Sequence, residues 1–282
     1  MGDGVDSGPE SERAARMGGR STRRMGRVSE GDGGLSYGTY LKVPELLDLQ
    51  RLLSDPPAHD ELLFIVVHQA YELWFKELLF ELESVREAMF ERDPERARHY
   101  LARCHAIERL LIEQIPVLES MSPQDFLEFR SNLEPASGFQ SVQFREIEFM
   151  CGLKHPSYLA HLGDTEEERG RLERRMEEPT LWEAFCDLMT SVGLPTDDPE
   201  VRADSLLAVA RNREKYGELW YLSEALITLD ELFSLWRMRH ILMVTRQIGS
   251  KTGTGGSSGA SYLRTTLDKR FFPELWELRS SI

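Results

Sequence analysis

The hydrophobic pattern of the chain is helical over most of its length. In the longest such stretch, residues 216–248, apolar side chains recur at intervals of three and four residues, the spacing of a helix with one face in a core. These positions are Leu222, Leu226, Leu229, Phe233, Trp236, His240 and Val244. His240 therefore lies within an apolar stripe, one helical turn after Trp236. The glycine-rich residues 253–259 follow, and they predict a loop.

A second long helix is predicted for residues 58–90. Its apolar residues form more than one stripe, so we expect it to be buried on several sides. One face carries Phe64, His68, Tyr71, Glu72 and Phe75. The other face carries Leu62, Ile65, Leu73, Lys76 and Phe80.

Prolines and capping residues mark the starts of further helices. Residues 44–53, 94–118, 140–151 and 166–177 are predicted as helices, and Ser122 with Pro123 predicts the start of a short one. Others are expected to begin at Pro156 and Pro179, and a last amphipathic helix should follow Gly259. No stretch has a convincing strand pattern, so the predicted fold class is all-α.

The chain is expected to consist of a disordered N-terminal arm and one folded domain. Residues 1–34 are rich in glycine, serine and arginine and predict a disordered arm, whereas residues 35–282 predict one all-α domain. Residues 35–41 contain two tyrosines and two leucines. They are too apolar for a free tail, so this segment should dock on its own domain or on a neighbouring subunit.

Composition excludes several functional classes. The chain has 34 lysines and arginines against 48 acidic residues, a formal net charge of -14, so we expect no nucleic-acid partner. The longest strongly apolar run, residues 62–67, is too short to cross a membrane. Three scattered cysteines indicate a reducing, cytoplasmic environment and show no metal-binding spacing.

Two histidines are the main candidates for chemistry. Among the seven histidines, none belongs to a Glu-x-x-His or His-Glu-x-x-His motif. His68 and His240 remain, one on the apolar face of each long helix. Such a histidine is most often a hydrogen-bonded core residue. The alternative is an axial ligand to haem iron, which needs one protein ligand and no local motif, with the second histidine as a distal group.

Arg130 and the glycine-rich segment also allow two interpretations. Arg130 adjoins Phe129 on a short apolar helix, where a guanidinium needs an anion. That anion is either a structural carboxylate or the carboxylate of a substrate. Residues 253–259 form either a flexible hinge or a loop that closes over a ligand, with Thr254 hydrogen-bonding to it.

Together these segments resemble the tryptophan 2,3-dioxygenase family over nearly everything after residue 34. The motifs that carry the resemblance are LSYGTYL (35–41), HDELLFIVVHQ (59–69), Phe129-Arg130, SGFQS (137–141), WRMRH (236–240), GTGGSSG (253–259) and FFPEL (271–275).

The resemblance implies a fold, a cofactor and an activity. The fold would be a multi-helix haem-binding bundle of the tryptophan/indoleamine dioxygenase type, a homotetramer with one haem b per subunit. Residues 35–57 would be exchanged with a neighbouring subunit. The activity would be the insertion of O2 across the indole C2–C3 bond of L-tryptophan to give N-formyl-L-kynurenine. The alternative is a related haem oxygenase that acts on a substituted tryptophan, with insertion of one oxygen atom as a variant.

Site residues follow from the matching motifs. His240 would bind the haem iron, and His68 would be the catalytic residue that hydrogen-bonds the indole N–H. Arg130 would bind the substrate carboxylate, and Thr254 with a haem propionate would hold the ammonium group. Further substrate contacts would come from Tyr37, Tyr40, Leu41, Phe64 and Phe126. Further cofactor contacts would come from Ser137, Gly138, Trp236 and Gly253.

Overall fold

The computed structural model describes residues 34–159, 162–163 and 165–282. The predicted arm, residues 1–34, lies outside the described residues except for Gly34. The chain divides between Arg51 and Leu52 into two units, which are described separately.

Two short helices form the described part of the first unit, α1 (Tyr37–Leu41) and α2 (Val43–Leu47). Ser36 caps α1, and Lys42 takes a left-handed conformation between the helices. The helix predicted for residues 44–53 is therefore shorter than expected. Neither helix contains a buried residue. A longer helix would need packing against other elements, because short helices are marginally stable by themselves.

The second unit is α-helical, and no strand occurs in the described part of the chain. Four 3₁₀ turns, Ser131–Leu133, Gly138–Gln140, Pro156–Tyr158 and Leu278–Ser280, connect or extend the helices. The α-helices are α3 (Glu61–Phe90), α4 (Pro94–Glu119), α5 (Pro123–Arg130), α6 (Val142–Met150), α7 (Glu166–Glu177), α8 (Leu181–Ser191), α9 (Pro199–Arg211), α10 (Arg213–Ile248), α11 (Ala260–Arg264) and α12 (Pro273–Glu277). The all-α prediction is confirmed.

Local signals account for most helix boundaries. Ser122 forms a capping box at the start of α5 with Pro123 in the first turn, as predicted. Residues 166–177 form α7 with the predicted bounds, and Thr165 caps it. The longest helix begins at Arg213 and bends at Tyr216, whose dihedral angles are not helical, so its straight part matches the prediction.

Helix α4 is the centre of the unit. It packs along α3 on one side and along α10 on the other, whereas the backbones of α3 and α10 hardly approach each other. Leu101, Cys104 and Leu111 of α4 are fully buried in the resulting core. Helix α8 covers α3 from outside. A gap therefore remains between α3 and α10, beyond the edge of α4.

The expected burial of α3 on several sides holds only in part, because α3 packs on α4, α6 and α8 but keeps one exposed apolar face. Leu62, Leu73 and Phe80, on the face away from α4, are each about half exposed. The opposite face contacts α4 and contains the buried residues Tyr71 and Phe75. Among the described residues, no helix is long and apolar enough to span a membrane.

A helix begins directly after Gly259, as expected, but α11 is only five residues long, and a second helix of the same length, α12, follows. The buried carboxylate of Asp230 on α10 binds the segment around the start of α12. Its Oδ2 accepts hydrogen bonds from the backbone N–H groups of Phe271 (2.9 Å) and Phe272 (3.1 Å) and from Nε1 of Trp276 (2.9 Å). These bonds fix an irregular turn and insert both phenylalanine rings into the core.

Asp230→Ala should therefore lower the free energy of unfolding by about 3 kcal/mol or more, because three buried donors lose a charged acceptor. Urea unfolding followed by circular dichroism measures this loss. Glu231→Ala, at the adjacent exposed position, is the matched control and should unfold like the wild type. A midpoint equal to the control's would contradict the anchoring role of Asp230.

Candidate functional site

A cavity of about 330 Å³ occupies the gap between α3 and α10. Its walls also include α4, α5, α6, the turn Gly138–Gln140 and the loop after α10. The volume lies in the range of small-molecule and cofactor sites, about 300–1,000 Å³. Most of the lining is aliphatic or aromatic, with a small number of charged groups, which is typical of a ligand site.

The apolar stripe of α10 changes its environment along the helix. From Leu222 to Phe233 its side chains are almost fully buried in the core. Beyond Phe233, the half-buried Trp236, His240 and Val244 line the cavity instead. His240 therefore belongs to the same apolar stripe as the core residues, but it lies in the part of the helix that lines the cavity.

His68 lies on the wall formed by α3. Its Nδ1 is 2.7 Å from the carbonyl oxygen of Phe64, one turn earlier. Because a carbonyl oxygen only accepts, Nδ1 carries the proton and Nε2 is left as an acceptor within the cavity wall. Burial lowers the pKa of His68, opposed by this hydrogen bond and by the charge of Glu72. The ring is therefore a neutral hydrogen-bond acceptor.

His240 is a neutral imidazole with no hydrogen-bond partner in the part of the chain that the structure describes. Its ring stacks on Trp236, with centroids 5.2 Å apart and an angle of 6° between the planes. Burial lowers the pKa of His240 to about 4, and a charge on His68 would lower it further. A neutral ring nitrogen with a free lone pair is the form that binds metal ions.

A third part of the wall is cationic. Arg145 and Arg237 are almost fully buried, and both donate to the carboxylate of Glu148, Arg237 at 3.0 Å. Arg145 also lies 3.7 Å above the ring of Tyr158, whose hydroxyl accepts a hydrogen bond from Lys269 at 2.9 Å. The Glu148 carboxylate thus pairs with two guanidinium groups, and Nε of Arg145 has no partner among the described residues.

Neither arginine of this wall was predicted from the sequence. A signal was present, because Arg145, Glu146 and Glu148 occur in α6, whose residues from Arg145 to Met150 are all buried. Charged residues on every side of a short buried helix must pair with each other or with a ligand. Sequence could not show that Arg237 of α10 joins them.

Arg130 and Phe126 of α5 lie at the cavity beside α3. The ring of Phe126 stacks on Phe64, with centroids 5.7 Å apart. The guanidinium of Arg130 donates to the carbonyl oxygen of Thr252, and it has no carboxylate partner among the described residues. The structural ion pair considered for Arg130 is therefore absent from the described part of the chain, and the guanidinium is available to an anion.

The glycine-rich segment packs on the start of the turn Gly138–Gln140. Thr254 donates its hydroxyl hydrogen to the carbonyl of Ala136 at 2.6 Å. The backbone N–H of Gly253 donates to the carbonyl of Ser257 at 3.0 Å. Gly255 lies so close to Ser137 that a Cβ atom there would be 2.6 Å from the Ser137 Cβ. The segment is thus a defined loop that forms part of the cavity wall.

The structure brings together all predicted site residues of the second unit. Phe64, His68, Phe126, Arg130, Ser137, Gly138, Trp236, His240, Gly253 and Thr254 line the one cavity. Tyr37, Tyr40 and Leu41 belong to the first unit and have exposed side chains. The functional roles of all these residues stay predictions.

The fold and cavity define a class: an all-α protein whose ligand cavity combines neutral imidazoles with an excess of buried guanidinium groups. Its sequence matches the family described as tryptophan 2,3-dioxygenase over residues 22–190 and 200–282. The protein belongs to this family.

Similar proteins cover nearly the whole chain. One from Nocardioides sp., named tryptophan 2,3-dioxygenase, is 54% identical over 90% of this chain and 98% of its own length. Proteins of the same name from Herpetosiphon aurantiacus and Serratia proteamaculans are 44% and 40% identical, each over 88% of this chain and over 98% and 93% of their own lengths.

Gly255→Ala should displace the loop, because the new methyl group meets the Cβ of Ser137 and has no flexible atom to push aside. We expect a loss of about 1–3 kcal/mol, the usual cost of overpacking. Hydrogen exchange of residues 250–259 and thermal unfolding measure the effect. Gly253→Ala is the matched control, since its methyl group meets only the rotatable hydroxyl of Ser257. Equal exchange in both variants would contradict the close packing.

Proposed function

We propose that this protein is a haem-dependent dioxygenase that converts L-tryptophan and O2 to N-formyl-L-kynurenine, the first step of tryptophan catabolism. The observation that carries the proposal is the cavity, where this member of the family has two neutral histidines and an arginine with no carboxylate partner among the described residues. The names of the similar proteins state the same substrate and reaction type.

The cavity fits haem b. His240 would offer an unprotonated ring nitrogen to the iron of a bound haem. Arg145 and Arg237 share the carboxylate of Glu148, so two buried guanidinium groups have one carboxylate between them, which would suit the propionates of haem. The unpartnered Nε of Arg145 is one donor that such an anion would satisfy. No cluster of three or more metal-binding side chains occurs among the described residues, and a haem iron needs none.

When bound, ferrous haem supplies the binding and activation of O2, chemistry that protein side chains do not provide. The residues of the chain bind and orient the other substrate. Phe64 and Phe126 form an aromatic wall suited to an indole ring. Nε2 of His68, held as an acceptor by the bond of Nδ1 to Phe64, would receive the indole N–H. Positioning the ring in this way is sufficient, because a well-oriented reactant lowers the barrier without proton transfer.

The zwitterionic end of tryptophan would be bound at the loop. A carboxylate is a stronger acceptor than the Thr252 carbonyl that Arg130 now contacts, so the substrate would take over this guanidinium. Thr254 uses its hydroxyl hydrogen on Ala136, which leaves its oxygen lone pairs to accept from the ammonium group. Phe126 has no hydroxyl to share this contact, so Arg130 would carry the carboxylate recognition.

Assembly into a homotetramer is part of the proposal. Tyr37, Tyr40 and Leu41 present exposed apolar side chains in a segment too hydrophobic for solvent. We propose that residues 35–57 dock on a neighbouring subunit, where these three residues would complete its substrate pocket. A cytoplasmic location stays a prediction. The alternative of a substituted tryptophan and one inserted oxygen atom is not favoured, since the similar proteins are named for the dioxygenation of tryptophan itself.

The decisive experiment is anaerobic reduction of the haem-reconstituted protein, followed by addition of O2 and L-tryptophan. The proposal requires the absorbance of N-formyl-L-kynurenine and a product mass increased by two oxygen atoms. A product with one added oxygen and an intact ring would support the alternative, and no turnover would reject both.

His240→Ala should abolish haem retention, because no other imidazole lies on this part of α10. Reconstitution with hemin, gel filtration and the Soret absorbance measure it. His68→Ala is the control and should keep the haem, since its ring is proposed to contact substrate. A full, histidine-ligated Soret band in His240→Ala would contradict the assignment.

Arg130→Leu should raise KM for L-tryptophan by about 30-fold or more, the equivalent of roughly 2 kcal/mol or more for a lost bidentate carboxylate contact. Steady-state kinetics measure KM. The KM of Arg130→Lys should lie between those of the wild type and of Arg130→Leu, because lysine keeps the positive charge but lacks the planar guanidinium that makes two parallel hydrogen bonds. If the leucine variant kept the wild-type KM, the arginine would only be fastening the loop at Thr252.

A further inference from the structure

Tyr71 of α3 connects the three long helices at the inner end of the cavity. Its ring is buried and lines the cavity. Its hydroxyl group donates to the carbonyl oxygen of Leu111, in the interior of α4, at 2.6 Å. The tyrosine oxygen keeps its lone pairs in this bond, so it can accept a hydrogen bond from a third helix. Neither the predicted site nor the proposed mechanism gives this residue a role.

The side chain that meets Tyr71 from α10 is Trp236. The two rings meet edge to face, with centroids 6.2 Å apart and an angle of 67° between their planes. Nε1 of Trp236 is buried and has no close hydrogen-bond partner among the described residues. The acceptor on which this N–H acts is the Tyr71 oxygen, because burial raises the pKa of Tyr71 to about 12 and the side chain of Trp236 opposes that rise. The edge of the indole ring is therefore directed towards α3.

The face of the same indole ring contacts His240. The planes of the two rings differ by only 6°, and their centroids are 5.2 Å apart. Rotation of the imidazole about its bond to Cβ would break this stacking. Phe144 of α6 also packs on Trp236, with centroids 5.3 Å apart, but a contact between apolar rings does not select the direction of the indole N–H.

His240 lacks the contact that usually orients a metal-binding histidine. In most metal sites the second ring nitrogen donates a hydrogen bond to a carboxylate, a carbonyl or water, and this bond fixes the ring. His240 has no hydrogen-bond partner in the part of the chain that the structure describes. Its stacking on Trp236 is the ring contact that can take over this function.

We propose that Tyr71 is a positioning residue for the haem-binding imidazole: its oxygen orients the indole ring of Trp236, and that ring orients His240. The inference rests on the proposed function insofar as His240 is the ligand of the haem iron. Tyr71 acts through Trp236 and takes no part in the reaction with tryptophan.

Resonance Raman spectroscopy of the hemin-reconstituted, reduced protein tests the proposal, because the iron–histidine stretching band responds to the orientation of the imidazole. Tyr71→Phe removes one oxygen atom and keeps the ring. The band should broaden or split, and hemin affinity should fall by about tenfold, the lower end of the usual cost of losing a group that orients a metal ligand.

Ser223→Ala is the matched control. It also removes a buried hydroxyl group that donates to a helix carbonyl, that of Trp220 at 2.7 Å, and Ser223 does not line the cavity. A loss of stability common to both variants would therefore appear in thermal unfolding of each. The iron–histidine band and the hemin affinity of Ser223→Ala should equal those of the wild type.

Trp236→Phe tests the connection between Tyr71 and His240. It keeps a ring beside His240 but lacks the N–H that Tyr71 orients, so it should broaden the same band. Adding Tyr71→Phe to this variant should change hemin affinity by less than about twofold, because the group that the hydroxyl orients is already missing. A further loss of about tenfold in the double variant would show that Tyr71 acts independently of Trp236 and would overturn the proposal.

The outcomes are separable. A wild-type band and affinity in Tyr71→Phe would overturn the positioning role, and so would an equal change in Ser223→Ala. Failure of the wild type to bind hemin, or a wild-type spectrum without an iron–histidine band, would instead reject the proposed function. If circular dichroism shows that Tyr71→Phe does not fold, Trp236→Phe decides, and an unchanged band in that variant would overturn the proposal.

Discussion

The site depends on how three long helices divide their packing. Helices α3 and α10 both pack on α4, and their backbones do not pack on each other. Each helix can thus complete the core on one side and leave its next turns facing a shared gap. Aromatic side chains such as Tyr71 and Trp236 reach across the gap, with ring centroids 6.2 Å apart, and close its inner end. The cavity is therefore a consequence of how α3 and α10 pack on α4.

Desolvation governs the electrostatics of this cavity. It keeps His240 and His68 neutral, which makes one a metal ligand and the other a hydrogen-bond acceptor. The same desolvation makes a buried charged side chain costly unless it is paired. Arg145 and Arg237 are accordingly both paired with Glu148. Such a cavity contributes little to the stability of the fold. It can bind an anionic ligand, because that ligand accepts hydrogen bonds from guanidinium groups such as Nε of Arg145, which has no partner among the described residues.

The region outside the cavity is organised to hold its walls in place. Asp230 fixes the C-terminal segment against α10, and the Gly255–Ser137 contact fixes the loop against the turn before α6. Both devices act on backbone groups, which lets irregular segments take one conformation without regular secondary structure. Arg130 then spans from α5 to Thr252, so the group proposed to bind substrate is already oriented.

The sequence by itself determined the helical class, the bounds of α7, the cap of α5 and the residues of the cavity-facing stripes, because spacing, caps and motifs are local properties. It also singled out His68, Arg130 and His240 through motif and context. Only the tertiary structure decided where the α10 stripe leaves the core for the cavity and that Arg145 and Arg237 share Glu148. Those facts depend on which helices pack together and at what register, and a local pattern carries no information about distance between helices.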